Sequence, residues 1–175
     1  MRTTAKRMSA FVSALLALLL LVGQPTAHEY SSKGITIVHP WARATPGGAK
    51  VGGAYFEMKA AHGHADRLIA VRSAAAGSGE LHKDVLENGI AKMRRVDAIP
   101  LRAGASFVLK PGGYHVMLMD LAGQLKEGDL LKLTLVFERA GEIEVEATIE
   151  PIGATGPHGF AHQPISEPAP IHEHH

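Results

Sequence analysis

The 175-residue chain has no cysteine, only 5% aromatic residues, a formal charge of just +1 and a single long apolar run. Each scarcity removes a class of function. Without cysteine there is no disulfide scaffold, no thiol redox chemistry and no metal centre built on thiolate. A near-neutral surface gives no footing for nucleic acid, and the doublet Arg94-Arg95 is too short a basic run to supply one. The few large aromatics, Trp41 and Tyr114 among them, read as core or rim residues rather than as stacking platforms. No Ser-His-Asp order, Gly-rich phosphate loop or paired catalytic carboxylates can be argued from the spacing, so the chain is read as a non-enzyme with no catalytic residues.

The one long apolar run lies at the start. Residues 1–27 combine a basic opening (Arg2, Lys6, Arg7), a Leu/Ala-rich stretch from Phe11 to Val22 and a small-residue exit at Thr26-Ala27. This is the pattern of a cleaved signal peptide, although Pro25 stands where a small residue is usual. The run is shorter than the roughly 18 to 20 apolar residues that span a bilayer, so the mature protein is expected to be exported without a stable membrane anchor. Cleavage removes three of the 18 basic residues and none of the 17 acidic ones, which takes the formal charge from +1 to about −2.

After a short mature N-terminal segment, residues 28–33, the stretch 34–151 has the size of one domain with its own core. Runs rich in β-branched, aromatic and aliphatic residues predict strands over 35–39, 51–58, 67–72, 80–86, 90–96, 106–109, 114–118, 130–137 and 143–149. Pro46-Gly47-Gly48, Asn88-Gly89, Pro111-Gly112-Gly113 and Ala140-Gly141 punctuate them. The expected class is all-β, a sandwich or Greek-key barrel. From Ile152 onward the apolar period is lost, and His158, His162, His172, His174 and His175 alternate with prolines. Residues 152–175 are therefore expected to form a disordered His/Pro-rich tail.

One strand carries the chemistry. In Tyr114–Met119 the two-residue period puts His115, Met117 and Met119 on one face and Val116 and Leu118 on the other. The Asn88-Gly89 turn predicts a hairpin that brings the strands of His82 and Met93 together. The donors read His82, ten residues, Met93, twenty-one residues, His115-x-Met117. Thioether sulfur with neutral imidazole favours Cu(I) over hard cations, which want oxygen. Any one of these side chains alone reads as structural; their convergence, with Met93 sharing its face with Ala91 and Arg95, is what a shallow soft-metal site explains.

With these residues in view, the chain resembles the periplasmic copper chaperones of the PCu(A)C family. The likeness runs from Ile35 to Ile149 and includes Pro40-Trp41-Ala42-Arg43-Ala44-Thr45-Pro46, Ala65-Asp66-Arg67-Leu68, Leu81-His82 and Leu109 to Met119. It implies a cupredoxin-like Greek-key β-sandwich and one surface Cu(I) held by His82, Met93, His115 and Met117. It further implies a periplasmic location and delivery towards the CuA centre in the copper-receiving subunit of cytochrome c oxidase, alongside Sco-type proteins, by a monomer. Lys83 departs from the pattern, because many relatives have a second methionine there.

Other readings remain beside it. The same donors would serve a general periplasmic copper buffer or resistance protein. Cleavage after Ala27 would make His28 the N-terminus, whose amine and imidazole can chelate Cu(II); a copper-dependent redox enzyme is the rival that follows. The His-rich tail is a candidate for Cu(II) capture. Met119 is read as packing beside the site, His62 and His64 as solvated loop residues, and Asp66-Arg67 as an ion pair or turn.

Overall fold

The computed structural model describes residues 29–157; the signal-peptide segment, His28 and the tail from His158 lie outside the described residues. Eleven strands follow one another with no helix among the described residues: β1 (Glu29–Ser32), β2 (Ile35–Arg43), β3 (Val51–Ala60), β4 (Asp66–Arg72), β5 (Ala76–Glu87), β6 (Ile90–Arg95), β7 (Ile99–Leu101), β8 (Ser106–Val108), β9 (Tyr114–Leu121), β10 (Leu130–Phe137) and β11 (Gly141–Glu150). Alternation builds them. In β10, Leu131, Leu133, Leu135 and Phe137 are buried while Leu130, Lys132, Thr134 and Val136 are more open. On the same face of the neighbouring β11, Ile143, Val145 and Ala147 pair with Leu135, Leu133 and Leu131, and Ile149 continues the row.

All strands belong to one hydrogen-bonded system, and seven of them close a ring in the order β2-β11-β10-β4-β5-β9-β3 and back to β2. The all-β, cupredoxin-like class expected from the sequence holds, with the two layers joined into a closed barrel. Closure leaves these seven without a free edge. One join is narrow: β4 meets β5 through a single pair, Val71 opposite Gly79, where a Cβ on residue 79 would lie 2.4 Å from the Val71 carbonyl oxygen. Only glycine permits that approach without a shift.

The barrel interior is filled by Ile37, Phe56, Met58, Leu68, Leu118 and their neighbours. At one end Asp66 is buried and accepts three backbone N–H groups, from Arg67 (2.7 Å) and Arg139 (3.0 Å) on Oδ1 and from Ala140 (2.8 Å) on Oδ2. Burial works against its charge, but these donors outweigh that and hold the carboxyl below its ordinary range. Asp66 is thus no ion-pair partner of the Arg67 side chain, which binds Glu138 instead.

Several boundaries differ from the sequence expectation. β1 occupies most of the segment read only as a mature N-terminus, and β7 was not foreseen. Strand β2 continues past His39 to Arg43 because a bulge between Val38 and Trp41, with His39 at φ +48°, absorbs Pro40. The first six residues of the expected tail, 152–157, form turns on the barrel: Arg43 Nε donates to the Ala154 carbonyl (2.7 Å), and Ala154 N donates to the Pro151 carbonyl (2.9 Å).

Candidate metal centre

The predicted hairpin forms with its turn at Asn88 and Gly89, both at positive φ (52° and 77°), the backbone that an Asn-Gly pair adopts at least cost. Its register sets Asp84 opposite Met93 and His82 opposite Arg95. On its other side β5 pairs with β9, setting His82 opposite His115 and Glu80 opposite Met117. Beyond β9, strand β3 places Gly53 opposite Met117. Side chains two residues apart share a face, so Met93, His82, His115 and Met117 occupy adjacent or diagonal positions on the outer face of one three-strand patch. The long-range β5–β9 pairing thereby joins the two halves of the donor set.

The imidazoles are close, with ring centroids 5.8 Å apart and planes at 50°. His115 is buried, 5% exposed, and Met93 is 61% exposed, with Met117 between these extremes. Met93, His115 and Met117 line a common cleft of about 320 Å³ with Asp84, Tyr55 and Ile152; His82 lies beside His115 rather than in the cleft wall. Met119 is half-buried further along β9, and His62 and His64 are exposed in the loop after β3, away from the patch.

Hydrogen bonds orient both rings. A carboxylate only accepts, so the 2.9 Å contact between His82 Nε2 and Glu80 Oε2 puts the ring proton on Nε2. His82 Nδ1 is buried with no hydrogen-bond partner. An unsatisfied buried acceptor costs about 1 to 3 kcal/mol, a cost that a ligand at that nitrogen would relieve. On His115 it is Nδ1 that donates, to the Gly113 carbonyl at 3.1 Å, while Asp84 Oδ2 stands 4.0 Å from the same nitrogen. The hydrogen bond from His82 holds the Glu80 carboxyl below its usual range; desolvation opposes this and Arg95 assists.

Behind the cleft the wall is aromatic. Trp41 and Tyr55 stack with centroids 4.4 Å apart, Tyr55 is 6.5 Å from the His115 ring, and the Arg43 guanidinium lies 5.8 Å from the Tyr55 centroid. Burial pushes the Tyr55 hydroxyl above its ordinary range, although Arg43 pulls the other way. A Cβ at Gly53, the residue opposite Met117, would lie 2.7 Å from the Tyr55 hydroxyl, so glycine there leaves the phenol its room. Sequence reasoning did not single out Glu80, Asp84, Tyr55 or Arg43. Two-residue spacing from His82 could have flagged Glu80 and Asp84; Tyr55 and Arg43 depend on pairing across the barrel.

Among the described residues no group of three or more His, Asp or Glu is arranged to hold a metal ion. A metal on this patch would therefore draw on sulfur as well as nitrogen, which suits soft cations.

Residues 35–149 match the family described as "Putative lipoprotein LpqE-like". The chain belongs to the LpqE-like family. Among curated proteins of similar sequence, one of Leifsonia xyli described as "Putative lipoprotein Lxx21020" is 30% identical over 105 residues and an uncharacterized protein of Rickettsia prowazekii 32% identical over 108. Each alignment covers 59% of this LpqE-like chain, and only 62% and 60% of those two relatives. Among solved structures, the copper-bound PCuAC domain of PmoF2 is 35% identical with a TM-score of 0.62, covering 71% of this chain and 98% of that domain. The apo form of that domain aligns at 33% identity over 74% of this chain and 100% of that domain, also at TM-score 0.62. A Cu(I)-bound protein of Deinococcus radiodurans, DR1885, shares the fold at TM-score 0.52 and 24% identity, covering 74% of this chain and 85% of that one.

Proposed function

We propose that this protein binds one Cu(I) through His82, Met93, His115 and Met117 and carries it to a copper-receiving protein outside the cytoplasm. The observation that carries the reading is the register: β5 aligns His82 with His115, and both methionines fall on the same face within a diagonal step. Both imidazoles have a nitrogen left free by hydrogen bonds on the other, as metal-binding histidines do. A copper-bound PCuAC domain at 35% identity supports the choice of metal. Methionine needs no deprotonation to bind, so the sulfur half of the site persists in mildly acid surroundings where the imidazoles compete with protons.

The donors are graded from buried His115 to exposed Met93, which suits transfer: an incoming ligand can displace the outermost sulfur first. By resemblance the destination is the CuA centre of cytochrome c oxidase, with Sco-type proteins as companions, and the carrier works in the periplasm as a monomer. The "Putative lipoprotein" descriptions of the family and of the Leifsonia xyli relative support export. Capture of Cu(II) by the His-rich tail belongs to the same proposal. A copper buffer without a dedicated acceptor uses the same site and is separated by phenotype. Loss of a carrier lowers oxidase activity at scarce copper, whereas loss of a buffer raises sensitivity to excess copper.

The test is anaerobic Cu(I) titration against a competing chelator, with wild type and the double variant Met93→Ala, Met117→Ala. One equivalent on the wild type and its loss in the double variant is the expected result. Stoichiometric high-affinity binding that survives both substitutions overturns the site.

A further inference from the structure

The geometry points to unequal use of the two imidazoles: His82 presents Nδ1 and His115 presents Nε2 to the cuprous ion, and Glu80 is the positioning residue that fixes the choice on His82. This rests on the reading of the site proposed above. Glu80 is two residues before His82 on β5, hence on the same face, and its Oε2 accepts a hydrogen bond from His82 Nε2–H at 2.9 Å. A nitrogen that carries a proton has no lone pair to give. The donor left on His82 is Nδ1, the atom that is buried and lacks any hydrogen-bond partner. His115 is the mirror case, because its Nδ1–H donates to the Gly113 carbonyl at 3.1 Å and leaves Nε2 with its lone pair.

Glu80 is itself held in place. Arg95, opposite His82 on the neighbouring strand, donates from Nη1 to Glu80 Oε1 at 3.4 Å, and Met117 faces Glu80 from β9. The carboxylate thus lies among three strands that carry all four donors. Its negative charge would offset the single positive charge of a cuprous ion whose four ligands are neutral, and a hydrogen bond from Nε2–H makes Nδ1 a stronger donor. A glutamate here does for His82 what a backbone carbonyl does for His115, with the difference that a side chain can be altered.

Long-range proton–nitrogen NMR of the imidazoles in the metal-free full chain, at a pH where free imidazole is neutral, reads the tautomers directly. His82 is expected with its proton on Nε2 and His115 with its proton on Nδ1. The opposite tautomer on His82 overturns the inference without any appeal to copper. Glu80→Leu removes the acceptor and is expected to redistribute the His82 tautomers and weaken Cu(I) binding by about 10- to 100-fold, whereas Glu80→Gln keeps an acceptor oxygen and restores both. Unchanged tautomers and unchanged affinity in Glu80→Leu overturn the role of Glu80 alone. A wild type that binds no Cu(I) overturns the copper reading of the site, while its tautomers still report on the hydrogen bonds.

Discussion

Substitution of Asp66 by alanine tests the barrel that supports the site. Three backbone N–H groups lose their acceptor: that of Ala140 is fully buried, and those of Arg67 and Arg139 are partly so. A buried orphaned donor costs about 2 kcal/mol, and the two that can recruit water add about 1 kcal/mol together, giving a loss of about 3 kcal/mol. With a urea dependence of about 2 kcal/mol per molar, the unfolding midpoint of the metal-free protein falls by about 1.5 M. The pH dependence provides a second check. The folded-state pKa of Asp66 is lowered from its ordinary 3.8, so its charged form contributes stability that is fully present above that value. This contribution drains away as the pH falls through the lowered folded-state pKa. Urea titrations of wild type and Asp66→Asn should therefore show a stability gap that is widest near neutrality and narrows in acid. A loss below about 1 kcal/mol in Asp66→Ala, or a gap that stays constant well below pH 3.8, refutes the argument.

Three further outcomes follow from the geometry. Met93 is 61% exposed and Met117 half-buried, so Met93→Ala leaves the apo-protein midpoint almost unchanged while Met117→Ala costs about 1 kcal/mol; equal losses in urea titration contradict the placement. Gly79→Ala pushes a methyl to within 2.4 Å of the Val71 carbonyl at the narrow β4–β5 join and should destabilise by about 1 to 3 kcal/mol, and a neutral thermal melt rejects that join. Arg43→Ala removes the hydrogen bond to Ala154, so hydrogen exchange at the Ala154 amide accelerates while global stability shifts by less than about 1 kcal/mol; unchanged exchange there means that Arg43 does not hold the segment.

The local elements were legible because their signals are local. Asn88-Gly89 announced the hairpin, and the alternation around Val116 and Leu118 separated a core face from a donor face without any knowledge of partners. What escaped has physical reasons. β1, Glu-Tyr-Ser-Ser, is short and polar, and β7, Ile-Pro-Leu, carries a proline that reads as a breaker. The first third of β5, Ala-Gly-Ser-Gly, has no strand propensity, and it takes strand form by pairing with β9 and, at Gly79, with β4. At the site, the residue types and spacing gave the four proposed donors, but the alignment of His82 with His115 is a contact between strands more than thirty positions apart, which no local period encodes. The turns at 152–157 were missed because their composition is that of a free tail; a single arginine from β2 fastens them.

Seven strands hydrogen-bonded into a loop have no flank that can spread, so the wall bearing His82, His115 and Met117 cannot give way without rupturing a ladder. Met93 is carried outside that loop, on a strand attached along one edge to β5 alone and exposed at every residue. If copper binds as proposed, three of its donors stand on the closed wall and the fourth on the exposed strand. Under that proposal, the hairpin closed by Asn88-Gly89 is the part of the site that can move while the barrel stays fixed behind it.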